Sequence, residues 1–249
     1  TQTVLRKIRA ADGFPGVEDA LFGQPCRLFD AWGEDVLRGS CGAIIAQRDG
    51  ALCRATCDGA VWIGHVRLMS SGDAGFKLPA TLALRDYLVG IPVVAPPPDT
   101  ESGSETYREI QYCEKNGVGY LEFEFYNGAM SSEQCQRLLQ AYRAACERPT
   151  RVIVLLGGSD FWSNGIDLNR IEASPHPAEE SWRNIVAMND LVREIVLADD
   201  RLTISALQGN AGAGGCFLAR AADLQEEWLR SFRAALREDQ EHEHVLRSH

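Results

Sequence analysis

A layered α/β fold, preceded by a small β-rich domain, is what this sequence predicts, and three observations predict it. Residues 26–68 break into short strand-like runs separated by Asp-Gly pairs. Residues 95–105, APPPDTESGSE, stiffen the chain with three prolines and then turn polar and acidic, so they bury nothing. Beyond them apolar strands alternate with long amphipathic stretches, the order of a sheet with parallel pairing. The expected division is a first domain at 1–94, a linker at 95–105, a second domain at 106–223 and a tail at 224–249.

The first domain opens with helical spacing over 4–11, which puts Leu5 and Ile8 on one side. Asp12-Gly13 and Pro15-Gly16 then break the helix. Strands follow at 26–31, 42–48, 51–57 and 61–68. Asp49-Gly50 and Asp58-Gly59 supply the positive φ angles of two-residue turns, so two hairpins share the middle strand. On that strand Ala51, Cys53, Ala55 and Cys57 point to one face. They read as small core residues in a reducing compartment.

In the second domain, 109–113 and 119–125 pair across Asn116-Gly117. Ser131 opens a helix, with Gln134 completing a capping box. Its stripe is Leu138, Leu139, Tyr142, Ala145 and Cys146, and Pro149 stops it. A buried strand at 151–156 leads to a helix at 178–198, whose expected apolar positions are Trp182, Ile185, Val186, Met188, Leu191, Val192 and Ile195. A strand at 202–207 and a small-residue helix at 212–222 complete a β-β-α-β-α-β-α order. The tail is acidic and helix-prone, with Trp228, Phe232 and Leu236 at i, i+4, i+8 and a Glu226–Arg230 pair. His242, His244 and His249 fall in a polar end that reads as solvated rather than metal-binding.

The formal net charge of -10 argues against nucleic acid and anionic membrane as partners. With no 18-residue apolar run and no apolar leader core, the expected location is cytoplasmic. The eight cysteines show no metal-ligand spacing, so no metal is expected.

Two glycine-rich turns could carry chemistry. GGSDFWSNGIDL (157–168) and GNAGAGG (209–215) each follow a strand, and the second opens a helix. Amides at a helix start have no intrahelical acceptor, and small residues let another group approach them. Close helix–strand packing is one reading of GNAGAGG, and an anion or oxyanion site is another. A phosphate loop lacks its Gly-Lys-Ser/Thr ending, and the glycine spacing is not that of a dinucleotide fingerprint.

Taken together, FWSNGIDL and ALQGNAGAGGCFLARAAD resemble the paired oxyanion-hole segments of the crotonase (enoyl-CoA hydratase/isomerase) superfamily. The resemblance implies a partial crotonase-like ββα spiral. It implies an oxyanion hole from the backbone amides of Ile166 and Gly214, and a coenzyme A thioester held by Ser163, Asn164, Gly165, Ile166, Asp167, Leu168, Asn210, Gly212, Ala213 and Gly214. Phe217 stands where hydratases carry a catalytic glutamate, so alkene hydration is not expected and enzyme activity is left open.

Longer runs resemble the HypX (HoxX) family of hydrogenase-maturation proteins. RKIRAADGFPGV, GAVWIGHV and FKLPATLAL are similar to its formyltransferase C-terminal-like part, a small β-rich barrel. GYLEFEFYNGAMS, GGSDFWSNGIDLNRIEA and ESWRNIVAMNDLVREI are similar to its crotonase-like part. The family's role is implied: formyl transfer from formyl-tetrahydrofolate to coenzyme A, then carbon monoxide release for the nickel–iron hydrogenase site. Hydrogenase-maturation machinery is the implied partner. Tetrahydrofolate is expected only if a formyltransferase domain is supplied, since in the family that domain would precede residue 1. The remainder of the crotonase part would follow Asp223, so this reads as a truncated member that retains CoA-thioester binding. The alternative is a non-catalytic interaction or scaffold protein derived from the family.

Asp167 aligns with a loop-shaping aspartate. Asp160 lies near the turns without an implied role, and His176, in SPHP, reads as an exposed turn. Arg6, Lys7 and Arg9 read as a solvated face, with contact to a CoA or folate phosphate as the alternative.

Overall fold

The computed structural model describes residues 1–69, 75–96 and 105–227. It divides into two compact units: residues 1–109 with 168–178, and residues 110–167 with 179 onward.

The first unit begins with α1 (Gln2–Ala10), which lies on the second strand and buries Leu5 and Ile8 as its spacing dictates. Its sheet contains β1 (Val17–Leu21), β2 (Gln24–Glu34), β3 (Ile44–Arg48), β4 (Ala51–Ala55), β5 (Ala60–Leu68) and β6 (Leu78–Pro79). The strand order is β1-β2-β5-β4-β3, antiparallel throughout, with β6 added beside β5. The short α2 (Ala80–Ala83) follows.

Asp49 and Gly50, at φ 44° and 92°, make the expected tight turn between β3 and β4. Asp58-Gly59 does not: neither residue has positive φ. A four-residue loop, 56–59, is closed instead by the Thr56 amide donating to the Gly59 carbonyl at 2.8 Å. The middle strand therefore ends at Ala55. Ala51, Cys53 and Ala55 are buried as expected, but Cys57 is exposed in the loop.

The expected boundary at 94 and 106 also shifts. Arg48 is buried and lies 4.5 Å from the Trp62 ring centroid. Its guanidinium donates to the carbonyls of Val94 (3.1 Å), Ala95 (3.1 Å) and Tyr107 (2.7 Å) and to Thr106 Oγ1 (3.0 Å). One side chain thus pins both ends of the proline-rich stretch. Tyr107 is buried against Trp32 and Trp62, so the first unit extends to Glu109.

The second unit holds β7 (Ile110–Lys115) and β8 (Val118–Phe123), which pair antiparallel through a turn at Asn116 (φ 54°) and Gly117 (φ 78°). β9 (Ala129–Met130) and α3 (Ser132–Cys146) follow. The capping box forms: Ser131 Oγ accepts the Gln134 amide at 3.3 Å, and Gln134 Oε1 accepts the Ser131 amide at 2.9 Å. Next come β10 (Val152–Leu156), β11 (Phe161–Ser163) and β12 (Gly165–Ile166). The short α4 (Leu168–Glu172) belongs to the first unit, and α5 (Pro177–Val196) follows it. β13 (Leu202–Leu207), β14 (Asn210–Ala211), α6 (Gly214–Arg220) and β15 (Leu224–Glu227) end the described chain.

The main sheet runs β15-β13-β10-β8-β7, parallel from β15 to β8. The expected alternation of strands and long helical crossovers is therefore present. Leu121, Phe123, Leu138, Tyr142, Ile153, Leu155, Trp162, Leu191 and Leu218 fill its core. Burying a side chain of this size stabilises by roughly 1.5–3 kcal/mol.

Two expectations for this unit are corrected. The buried face of α5 is Asn184, Ala187, Met188, Leu191 and Ile195, whereas Trp182, Ile185 and Val186 are exposed. Apolar residues surround this helix, so hydrophobicity alone does not set its phase. Leu224–Glu227 does not start a helix but extends the sheet parallel to β13, pairing Ile204 with Leu224 through Leu207 with Glu227. Trp228, Phe232, Leu236, Arg230 and the terminal histidines lie outside the described residues.

Candidate functional site

The candidate site is built where the turns after β10 and β13 meet. These are the carboxyl ends of parallel strands, where open α/β sheets place their ligands. β11 and β14 pair parallel, matching Phe161 with Asn210 and Ser163 with Ala211. β12 pairs with β9, matching Gly165 with Ala129 and Ile166 with Met130.

Glycine is required by contact at this junction. A Cβ on Gly165 (φ 82°) would lie 2.7 Å from the Gly214 nitrogen and 2.9 Å from its Cα. One on Gly214 would meet Met188 Sδ at 2.8 Å and Gly165 Cα at 3.2 Å. One on Gly215 would overlap the Ser163 carbonyl. The residue before Gly214 is strained: Ala213 has φ 46° and ψ -122°, a conformation L side chains rarely adopt. Gly214 is the first residue of α6, and the Gly215 and Cys216 amides donate to Gly212 and Ala213.

The predicted residues divide into groups. Gly165 touches Gly214 through backbone, the Gly212 amide donates to the Ser163 carbonyl at 2.9 Å, and Ile166 pairs with Met130, while Ala213 precedes Gly214. Ser163 is fully buried: its hydroxyl lies 3.4 Å from the Gly128 carbonyl and 3.3 Å from Met130 Sδ, and accepts the Gly165 amide at 3.2 Å. Its side chain holds the turn. Asn164 Nδ2 donates to the Asn127 carbonyl at 2.7 Å. Leu168 is 64% exposed and opens α4. Asn210 is exposed, and its amide donates to the Asp160 carbonyl at 3.1 Å.

Asn184 is a residue that sequence reasoning missed. It is 1% exposed on α5. Its Oδ1 accepts the Asp167 amide at 3.2 Å, and its Nδ2 donates to the Met130 carbonyl at 2.9 Å. It ties the segment just past Ile166 to β9. A polar residue inside an apolar helical stretch was the signal available.

Phe217 is 73% exposed on α6 and neither donates nor accepts a proton. Asp160 and His176 are exposed. Arg6 and Lys7 are exposed too, whereas Arg9 donates to the Ala31 carbonyl at 3.0 Å and pairs with Glu105 at 3.6 Å. Among the described residues no cluster of three or more His, Cys, Asp or Glu could hold a metal, and no helix is long and apolar enough to cross a membrane.

An open cleft of about 1150 Å³ adjoins the turns, lined by Asp160, Phe161, Gln208, Asn210, Cys216 and Arg220 among others. Asn210 is the predicted residue on its wall; Ile166 and Gly214 are not on it. The candidate site is therefore placed by the backbone contact between the two turns, because an oxyanion needs converging donors more than volume.

Residues 114–226 match the enoyl-CoA hydratase/isomerase family. The hydrogenase maturation factor HoxX of Bradyrhizobium diazoefficiens is 51% identical over 228 residues, 92% of this chain and 38% of that protein. This chain is a HoxX/HypX homologue with a crotonase-like domain. The crystal structure of HypX from Aquifex aeolicus in complex with tetrahydrofolic acid matches with a TM-score of 0.86 and 47% identity, over 90% of this chain and 40% of that one. A variant of the Aquifex HypX matches with a TM-score of 0.87 at the same identity. The chain thus spans about two-fifths of the length of these HoxX and HypX relatives.

Proposed function

We propose that the crotonase-like unit holds a coenzyme A thioester, with its acyl oxygen between the backbone amides of Ile166 and Gly214. The observation that carries this reading is the backbone contact of Gly165 with Gly214, which brings the two glycine turns together with no side chain between them. Two amide donors near one oxygen stabilise the charge that develops when a thioester carbonyl is attacked. Ala213 supports the reading, since strain of this kind persists where surrounding structure enforces it and clusters at functional sites.

Within this reading the acyl group is a formyl or similar small group. It is handled in hydrogenase maturation by formyl transfer from formyl-tetrahydrofolate to coenzyme A and release of carbon monoxide. Tetrahydrofolate enters only through a formyltransferase domain, of the kind the resemblance places before this segment. The residues of this chain bind and polarise the thioester. Phe217 leaves proton transfer at the hydratase position unprovided, so the reading excludes ordinary alkene hydration.

That same exposed Phe217 favours one alternative, a non-catalytic interaction role for the unit. Isothermal calorimetry separates the two. Heat of binding from coenzyme A or acetyl-CoA, lost in Gly214→Pro, supports the thioester reading. Silence at millimolar ligand, with partner association lost on deleting residues 228–249, supports the alternative. The deletion starts at 228 because β15 belongs to the sheet.

A further inference from the structure

The first unit carries a chemical feature that thioester handling does not use. Cys41 and Cys57, sixteen residues apart in sequence, are both exposed, and their sulfurs lie 2.8 Å apart. The other cysteines of this unit, Cys26 and Cys53, are buried, with thiols pushed up by burial to about 11 and about 12. Such thiols are poor nucleophiles.

The approach of Cys41 to Cys57 is set by backbone. The Gly42 amide donates to the Ala55 carbonyl at 2.8 Å, and the Ala55 amide donates to the Ala43 carbonyl at 2.9 Å. These bonds fix Gly42 and Ala43, just after Cys41, against Ala55, two residues before Cys57. Arg54 Nε reaches the Gly42 carbonyl at 3.3 Å, which places a guanidinium beside the pair. The same guanidinium pairs with Asp19 at 2.6 Å. A disulfide needs its sulfurs at about 2.05 Å, so little movement separates the dithiol from the bonded state.

We propose that Cys41 and Cys57 form a modification site: a dithiol that a peroxide oxidises to an intrachain disulfide. The Cys57 thiolate attacks one peroxide oxygen. The O–O bond breaks, leaving a sulfenic acid on Cys57 and a hydroxide that takes up a proton to become water. The Cys41 sulfur then attacks the Cys57 sulfur. The S–S bond forms, the S–O bond breaks, and the departing hydroxide takes the Cys41 proton as a second water. Two thiols lose two electrons, and one peroxide gains them. The contact with Cys57 holds the Cys41 thiol above its ordinary value. A transient disulfide of this kind suits a reducing compartment, where such bonds serve regulation rather than stability.

The test uses the full chain carrying Cys113→Ser and Cys216→Ser, which removes the other two exposed thiols. After hydrogen peroxide and alkylation, tryptic peptides 39–48 and 55–67 should appear joined, two hydrogens lighter than their sum. The accessible thiol count should fall by two per chain, and dithiothreitol should restore it. Adding Cys41→Ser should stop the reaction at a sulfenic acid on Cys57 that dimedone traps. Melting curves of each variant check that the fold persists. Peptides that never join, or that join only between chains in a concentration-dependent way, overturn the proposal. So does dimedone labelling of Cys57 in the variant that still holds both cysteines.

Discussion

A Cβ on Gly165 would sit 2.7 Å from the amide nitrogen of Gly214, so two turns from separate strands touch through backbone alone. This contact defines the candidate site, and each substitution in it tests a different property. Gly214→Ala keeps the amide and needs the Met188 thioether to move and the Gly165 backbone, 3.2 Å away at Cα, to give slightly. Gly214→Pro removes the amide. We expect Gly214→Ala to retain measurable coenzyme A binding and Gly214→Pro to lose it by tenfold or more, about 1.4 kcal/mol. Calorimetry on both, with circular dichroism as the check on folding, decides this.

Gly165→Ala should fail for a different reason. The position has φ 82°, and its new methyl would press on rigid backbone. Strain of this type costs about 1–3 kcal/mol before the clash is counted. Urea denaturation should show a loss of at least that size, with coenzyme A binding weakened in the fraction that folds.

Ala213→Gly should stabilise the protein. Relief of the φ 46° conformation outweighs the added freedom of the unfolded glycine, giving a net gain of about 1 kcal/mol. A melting temperature that falls in Ala213→Gly would mean that the conformation is not strained.

Asn184→Leu should leave the Met130 carbonyl and the Asp167 amide without their buried partner. The expected cost is about 3 kcal/mol in urea denaturation, since each unpaired buried group costs about 1–3 kcal/mol. Coenzyme A affinity should fall with it, because Asn184 holds the segment adjoining Ile166.

Local patterns were legible in the sequence, and pairings across the fold were not. Ser131 and Gln134 announce a helix start because both halves of the box lie within four residues. Asn116-Gly117 and Asp49-Gly50 announce turns because the pair itself adopts positive φ. Gly165 and Gly214 could be singled out as glycines, but only a family resemblance could bring them together. Asn184 was hidden because its partners are backbone groups on other elements. Cys41 was hidden because the loop that carries it has no periodicity. Cys57 was misplaced because its strand ends two residues earlier than the alternation suggests. Leu224–Glu227 joins a sheet despite its helix-prone composition, since parallel pairing with β13 satisfies its backbone.

The last prediction concerns acid stability of the first unit. Glu34 is 3% exposed, and its carboxylate accepts from the Trp62 indole (2.7 Å), Thr106 Oγ1 (2.6 Å) and the amides of Val36 (2.7 Å) and Leu37 (3.0 Å). Burial by itself would raise its pKa, but these donors, led by Thr106, hold it below the ordinary value. A carboxylate depressed on folding adds stability that is present above its unfolded pKa, about 4.3, and is lost as pH falls through the folded value. Stability should therefore decline from about pH 5 downward, with this residue among the causes. Glu34→Gln presents an amide N–H₂ to at least one of the four donors, so it should be less stable at pH 7. It should also flatten the acid limb, because glutamine does not titrate. Urea midpoints from pH 7 to pH 3 measure both effects, and an unchanged acid limb in Glu34→Gln would show that other carboxylates govern the loss.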